Sequence, residues 1–122
     1  MNRRAPFPQI YRCYAVLYVP NIEEEIGITI AAVALSDPPS FRMAFKQIPS
    51  WNSVLRFDSR PDIRLLNQFL KEFSEAIRFD PHFINEAQRW KSCIRLLLRG
   101  RFSTSDLDGT LSLVADAEFQ GW

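Results

Sequence analysis

Glycine is scarce in this chain, at four of 122 residues. That leaves little material for phosphate-cradling loops, and neither GxGxxG, a P-loop nor GxSxG occurs. There is one histidine, His82. A catalytic histidine needs a nucleophile and an orienting carboxylate around it in space, and the sequence makes neither visible, so a surface role is the simpler reading. The two cysteines, Cys13 and Cys93, lie far apart with no CxxC spacing, which gives neither a zinc nor a redox signature. Both fall in strand-like stretches and read as small buried hydrophobes. No window approaches the about 18 apolar residues that a membrane span needs. The opening "MNRRAPFPQIYRCYAVLYVP" is broken by Arg12 and prolines, so it has no secretory core, and a cytoplasmic location follows as the expectation. Fifteen basic against fourteen acidic side chains leave +1, so no global field draws nucleic acid or an anionic membrane. No cofactor and no metal is expected.

What the chain does contain is an ordinary globular mixture, 47% hydrophobic and 24% charged. Its length allows one domain, residues 1–122, with a core built without disulfides or metals. Residues 1–9, with Pro6 and Pro8, read as an extended N-terminal arm. "IYRCYAVLYV" is rich in β-formers and alternates. Tyr11, Cys13, Ala15 and Leu17 take one face; Arg12, Tyr14, Val16 and Tyr18 take the other. Pro20 and Asn21 end it, "EIGITIAAVAL" forms a second strand, and "FRMAFKQI" forms a third after "SDPPS". Short connections predict an antiparallel meander.

The period then changes. Ile63, Leu66, Phe69/Leu70, Phe73 and Ile77 carry helical spacing, with Ser59 and Asp62 at capping-box spacing and Pro61 in the first turn. Asp80-Pro81 opens a shorter helix to about Trp90. "KSCIRLLL" is a fourth strand, although periodicity alone also allows a buried helix there. Gly100 punctuates. Ser105, Asp106 and Asp108 cap a last helix with a Leu107, Leu111, Val114 stripe. The predicted fold is α+β: an antiparallel sheet of about four strands, β-β-β-α-α-β-α, with helices packed on one face.

Three groups of residues are candidates for chemistry or binding. Glu23, Glu24 and Glu25 form an acidic turn, and a small carboxylate-dependent hydrolase would have to use Glu23 and Glu25, the two that share a face. A solvated turn that also protects the strand edge explains them more simply. Arg95, Arg99 and Arg101, with Lys91, could line one strand face, and Tyr18 on a neighbouring strand could stack bases, which is the pattern of a nucleic-acid binder. Trp51, in "IPSWNS", and Trp122, at the end of the chain, are either core plugs or anchors for a protein partner.

The strings "YAVLYVP…EEIGITIAAVAL", "VLRFDSRPDIRLLNQFLKEF" and "SCIRLLLRGRFSTSDLDGTLSLV" resemble a bacterial family of short proteins known as a domain of unknown function, family number 3037. Its members open on a tyrosine-rich strand and a turn carrying Gly-Glu, followed by a strand with Asn-Ile-Gly. They close on an S-x-I strand, a Gly-x-Thr-x-Asp step and a leucine-bearing helix. Glu25 stands for the turn glutamate and Thr29-Ile30-Ala31 for Asn-Ile-Gly. Ser92-Cys93-Ile94, then Thr104 with Asp106, stand for the closing step. Glu24 replaces the turn glycine. Members are often encoded beside kinases similar to the HipA toxins of toxin–antitoxin modules. The resemblance therefore implies an accessory or regulatory partner of such a kinase, or a phage-defence component, and with no catalytic constellation in the sequence the expected function is a non-enzymatic interaction module. The resemblance carries over no catalytic residue. Glu25, Trp51 and Trp122 are the expected partner-binding residues, and Tyr18, Arg95, Arg99 and Arg101 are the nucleic-acid alternative.

Overall fold

The computed structural model describes residues 4–21, 23, 26–37, 41–58 and 60–119. The elements are β1 (Arg4–Asn21), β2 (Ile26–Leu35), β3 (Met43–Gln47), α1 (Asn52–Phe57), α2 (Ile63–Phe79), α3 (Phe83–Ala87), β4 (Ile94–Asp106) and α4 (Leu107–Phe119). The four strands form one antiparallel sheet in the order β3-β2-β1-β4. The α+β class and the meander of the first three strands are as predicted. Most of the expected N-terminal arm is strand: β1 starts at Arg4, where it pairs with Asp106 of β4. The expected loop around Trp51 contains a helix, α1.

The two faces of the sheet differ in side-chain size, and that difference sorts the helices. Tyr14, Val16 and Tyr18 of β1 share a face with Val33 and Leu35 of β2, Met43 of β3, and Ile94 and Leu96 of β4. Against this bulky face pack Val54 of α1, Leu66, Leu70, Phe73 and Ile77 of α2, and Ile84 and Ala87 of α3. The chain leaves edge strand β3, crosses this face through the three helices, and returns as the opposite edge, β4.

The other face carries Cys13, Ala32, Ala34 and Ala44, a shallow floor of small side chains beside Tyr11. Leu107, Leu111 and Ala115 of α4 fill it. A helix on this second face corrects the expectation that all helices share one face. The small residues at alternate strand positions let a helix approach closely, and each leucine buried there contributes about 1.5–3 kcal/mol. Val114, expected in the stripe, is only partly buried, and Ala115 takes its place. At the rim Lys46 pairs with Asp116 at 3.3 Å and Arg99 with Glu118 at 3.2 Å.

The register shifts at two places on each side of β1, and one on each side lies in the middle of the strand. Val16 faces Ala31 but Leu17 faces Thr29, so Ile30 is an extra residue, and its carbonyl accepts from Ile48 N–H at 2.8 Å. On the other side Cys13 faces Gly100 while Tyr14 faces Leu98, leaving Arg99 extra. Gly100 has φ 155°, which side chains rarely adopt, so it sits inside β4 and does not end it. β4 begins three residues later than expected and runs on to Asp106.

The helix starts are set by side chains. Asp62 is the N-cap of α2, accepting from the N–H groups of Arg64 and Leu65. Pro61 therefore precedes the helix, and Ser59 lies outside the described residues. Asp106 takes the equivalent place at α4, accepting from Gly109 N–H, while its own N–H donates to Thr104 Oγ1 at 2.9 Å. Gly109 has no Cβ for a reason: one built there would collide with the Asp106 carboxylate.

Candidate functional site

A concentration of aromatic side chains lies where α2 meets α3 and the turn after it. α2 presents Phe69 and Phe73 one helical turn apart, and their rings stack at 5.7 Å and 17°. α3 brings Phe83, and the turn after it brings Trp90. The Trp90 ring lies 5.8 Å from each of Phe69, Phe73 and Phe83, inclined at 61°, 55° and 74°. Phe73 meets Phe83 at 6.1 Å and Phe45 of β3 at 6.4 Å, which ties the cluster to the sheet. Phe73 is buried, whereas Phe69, Phe83 and Trp90 are partly buried.

These rings enclose an open groove of about 250 Å³ lined by Phe69, Glu72, Phe73, Ala76, Phe83 and Trp90. Phe69, Glu72, Phe73 and Ala76 belong to α2, Phe83 and Trp90 come from the α3 side, and Glu72 is the single charged lining group among the described residues. Glu72 Oε1 accepts from Gln68 Nε2 at 3.2 Å. The arrangement can take up an apolar or cationic group and hold it against ring faces.

A second, more polar cleft of about 330 Å³ is lined by Arg12, Ser36, Asp37, Pro81, His82, Ile84 and Asn85. Arg12 is held there by Asp37 at 3.0 Å and by a 3.0 Å hydrogen bond to the Tyr14 hydroxyl. Its Nε is buried without a hydrogen-bond partner among the described residues. His82 is exposed, and its backbone N–H donates to Asp80 Oδ1. With Arg12 already paired to Asp37, the cleft has no uncommitted anion-binding fork.

The sequence-based candidates fare unevenly. Glu25 and Trp122 lie outside the described residues, as does Glu24. Glu23 is exposed and its N–H donates to Asn21 Oδ1, the geometry of a solvated turn. Trp51 is half-buried and packs against the core just before α1. Among the described residues no three His, Cys, Asp or Glu side chains gather where they could share a metal ion. No helix among them is long and apolar enough to cross a membrane.

The nucleic-acid constellation is dispersed. Tyr18 is buried, and its hydroxyl donates to Asp58 at 2.8 Å, so its ring is not free to stack a base. Burial first, then the hydrogen bond and charge of Asp58, push the phenol up to about 12. Arg99 is engaged by Glu118 of α4. The bulge at Arg99 turns Arg101 to the opposite face, across from Arg12. Arg95 Nε donates to the Ser92 carbonyl. The three arginines therefore do not form one stripe.

The cysteines also separate. Cys13 is buried and Cys93 exposed, and both are free thiols. Cys93 precedes β4, and its carbonyl accepts from Val19 N–H, which leaves its side chain outside the core and corrects the expectation of two buried hydrophobes.

Phe69, Phe83 and Trp90 are not among the residues that sequence singles out as candidates. Phe69 and Phe73 carry the apolar helical spacing and read as core. The signal that points to the groove is Phe83 and Trp90, seven positions apart on the following segment, which helical spacing places on one side. No family model, curated protein or solved structure matches this chain.

Proposed function

We propose that this chain is a non-enzymatic bacterial interaction module that acts in the cytoplasm through a protein partner. On the family resemblance, that partner is a toxin-like kinase to which the chain is an accessory subunit, or another component of a phage-defence locus. The observation that carries the reading is the open aromatic groove of Phe69, Phe83 and Trp90. Partly buried tryptophan and phenylalanine side chains framing a concave surface are the composition of binding hot spots. Phe69 stands on α2, Phe83 on α3 and Trp90 just after it, and all three pack against the core, so the surface is pre-formed and costs little ordering on association.

The test is reconstitution with the products of the neighbouring genes. Each is purified, mixed with this protein, and followed by size-exclusion chromatography with light scattering. A stoichiometric complex that Trp90→Ala disrupts supports the reading. Failure of every neighbouring product to bind overturns it.

A further inference from the structure

The groove has one chemical asymmetry. Its walls are aromatic or aliphatic, and among the described residues its only charged lining side chain is the carboxylate of Glu72. We infer that the groove is a receptor for a cationic side chain, arginine or lysine, projecting from the partner protein. This inference rests on the proposed interaction function and specifies the group that is recognised.

Two features favour a cation over other occupants. Phe69 and Phe83 flank Trp90 at 5.8 Å with steep inclinations of 61° and 74°. These rings line the groove, and the face of an aromatic ring is its negative side. A cation is held when it lies within about 6 Å of such a ring centre. Glu72 then adds a full negative charge at the same mouth. Its carboxylate accepts from the neutral amide of Gln68 and has no basic partner among the described residues. An anionic guest would meet both the carboxylate and the ring faces. A purely aliphatic guest would take water from Glu72 and return no partner for it.

Size points the same way. At about 250 Å³ the groove falls below the roughly 300–1,000 Å³ typical of sites that engulf whole small molecules. It suits the end of one long side chain, whose methylene stem lies along the rings while its charged head meets Glu72. Neighbouring charges do not decide the matter, because Glu75 and Glu86 are balanced in number by Lys71 and Arg89. The selectivity resides in Glu72 and the rings it adjoins.

Within the groove, Glu72 separates recognition from folding. The core beneath it is completed by Leu70, Phe73, Ile77, Ile84 and Ala87, all buried. Glu72 lies on the exposed side of α2, so Glu72→Gln keeps the side chain's shape and its amide contact with Gln68.

The test uses defined probes: the blocked single residues N-acetyl-arginine methylamide and N-acetyl-lysine methylamide, with N-acetyl-norleucine methylamide as the uncharged control. Binding is followed by NMR at the indole N–H of Trp90, assigned by comparison with Trp90→Phe. The expected result is a saturable shift with the arginine and lysine probes at about millimolar concentration, as befits a single side chain. Glu72→Gln should weaken it about tenfold, the scale of one modest charge contact. Equal binding of the norleucine probe overturns the inference, as does the absence of any Trp90 shift. Once the partner is in hand, Glu72→Lys should weaken the complex by at least about tenfold. A complex that forms undiminished with Glu72→Lys overturns the cation site and leaves the interaction function standing. Loss of binding with Trp90→Ala but not with Glu72→Lys likewise overturns the cation site alone. Failure of wild-type protein to bind any partner strikes the interaction function instead, while the single-residue probes still decide the cation site.

Discussion

The phenol of Tyr18 donates a 2.8 Å hydrogen bond to the carboxylate of Asp58, joining residues forty positions apart. Tyr18 sits near the end of β1, and Asp58 ends the first helix that crosses the sheet. Arg60 completes the arrangement at 3.0 Å from Asp58. The bond fixes where the chain lies as it passes from α1 to α2, and so where the groove-bearing helix begins.

That contact gives the fold a pH signature. The Tyr18 phenol is pushed up to about 12 from 10.0, so the folded state favours the neutral form. The associated stability is complete below pH 10 and is lost as pH rises toward 12. Buried Cys13, pushed up to about 11 from 9.0 by burial and then by Glu118, loses its share from pH 9 upward. Tyr18→Phe should therefore flatten the alkaline fall in urea midpoint above about pH 10 and leave the earlier part in place. Hydrogen bonds from Arg60 and then Tyr18 hold the Asp58 carboxyl below its ordinary 3.8, so its contribution is present above that value and lost as pH falls through the lowered one. An alkaline limb identical in wild type and Tyr18→Phe would count against the assignment.

The two thiols should behave as different reagents. Cys93 is exposed and should react with an aromatic disulfide reagent in the folded protein. Cys13, buried and with its thiolate disfavoured, should react only after unfolding. Counting labelled thiols by mass spectrometry, with and without urea, checks this. Two fast thiols under native conditions would contradict the placement of Cys13.

Asp62 is expected to carry the start of α2 alone. Asp62→Ala removes the acceptor for Arg64 and Leu65 N–H and should cost about 1 kcal/mol, while Asp62→Asn keeps most of it. Chemical denaturation of the two variants side by side is sufficient. An alanine variant as stable as wild type would shift the role of cap to another group.

On α4, Leu111→Ala and Leu113→Ala should part company. Leu111 is 2% exposed and lies against Ala32, Ala34 and Ala44, so its truncation leaves a cavity and costs about 2–5 kcal/mol. Leu113 is 75% exposed, and its truncation should stay within about 0.5 kcal/mol. Thermal or urea unfolding measures both, and similar losses would mean that α4 does not lie on the sheet as described.

Much of the architecture is legible in the sequence because hydrophobic period reports burial directly. α2 starts at Ile63, and its buried stripe is the one its spacing announces, because a long amphipathic helix repeats the signal over several turns. The short helices are harder to read. α1 has six residues and α3 five, too few turns for a period to stand out. Gly100 misleads because a glycine between "LLLR" and "RF" reads as a stop, whereas here it forms part of a bulge that lets β4 stay on β1.

The chain's own pattern determined the element types, because alternation and helical spacing are properties of neighbours in sequence. Tertiary structure alone decided which side of β1 receives β4, which face receives α4, and that Phe69, Phe83 and Trp90 meet around Glu72. Those outcomes depend on matching residues far apart in the chain. Small alanines admit α4 to one face, while Tyr14, Val16 and Tyr18 hold the three crossing helices on the other. Local pattern does not encode such matching, because it arises only when separate surfaces bury each other.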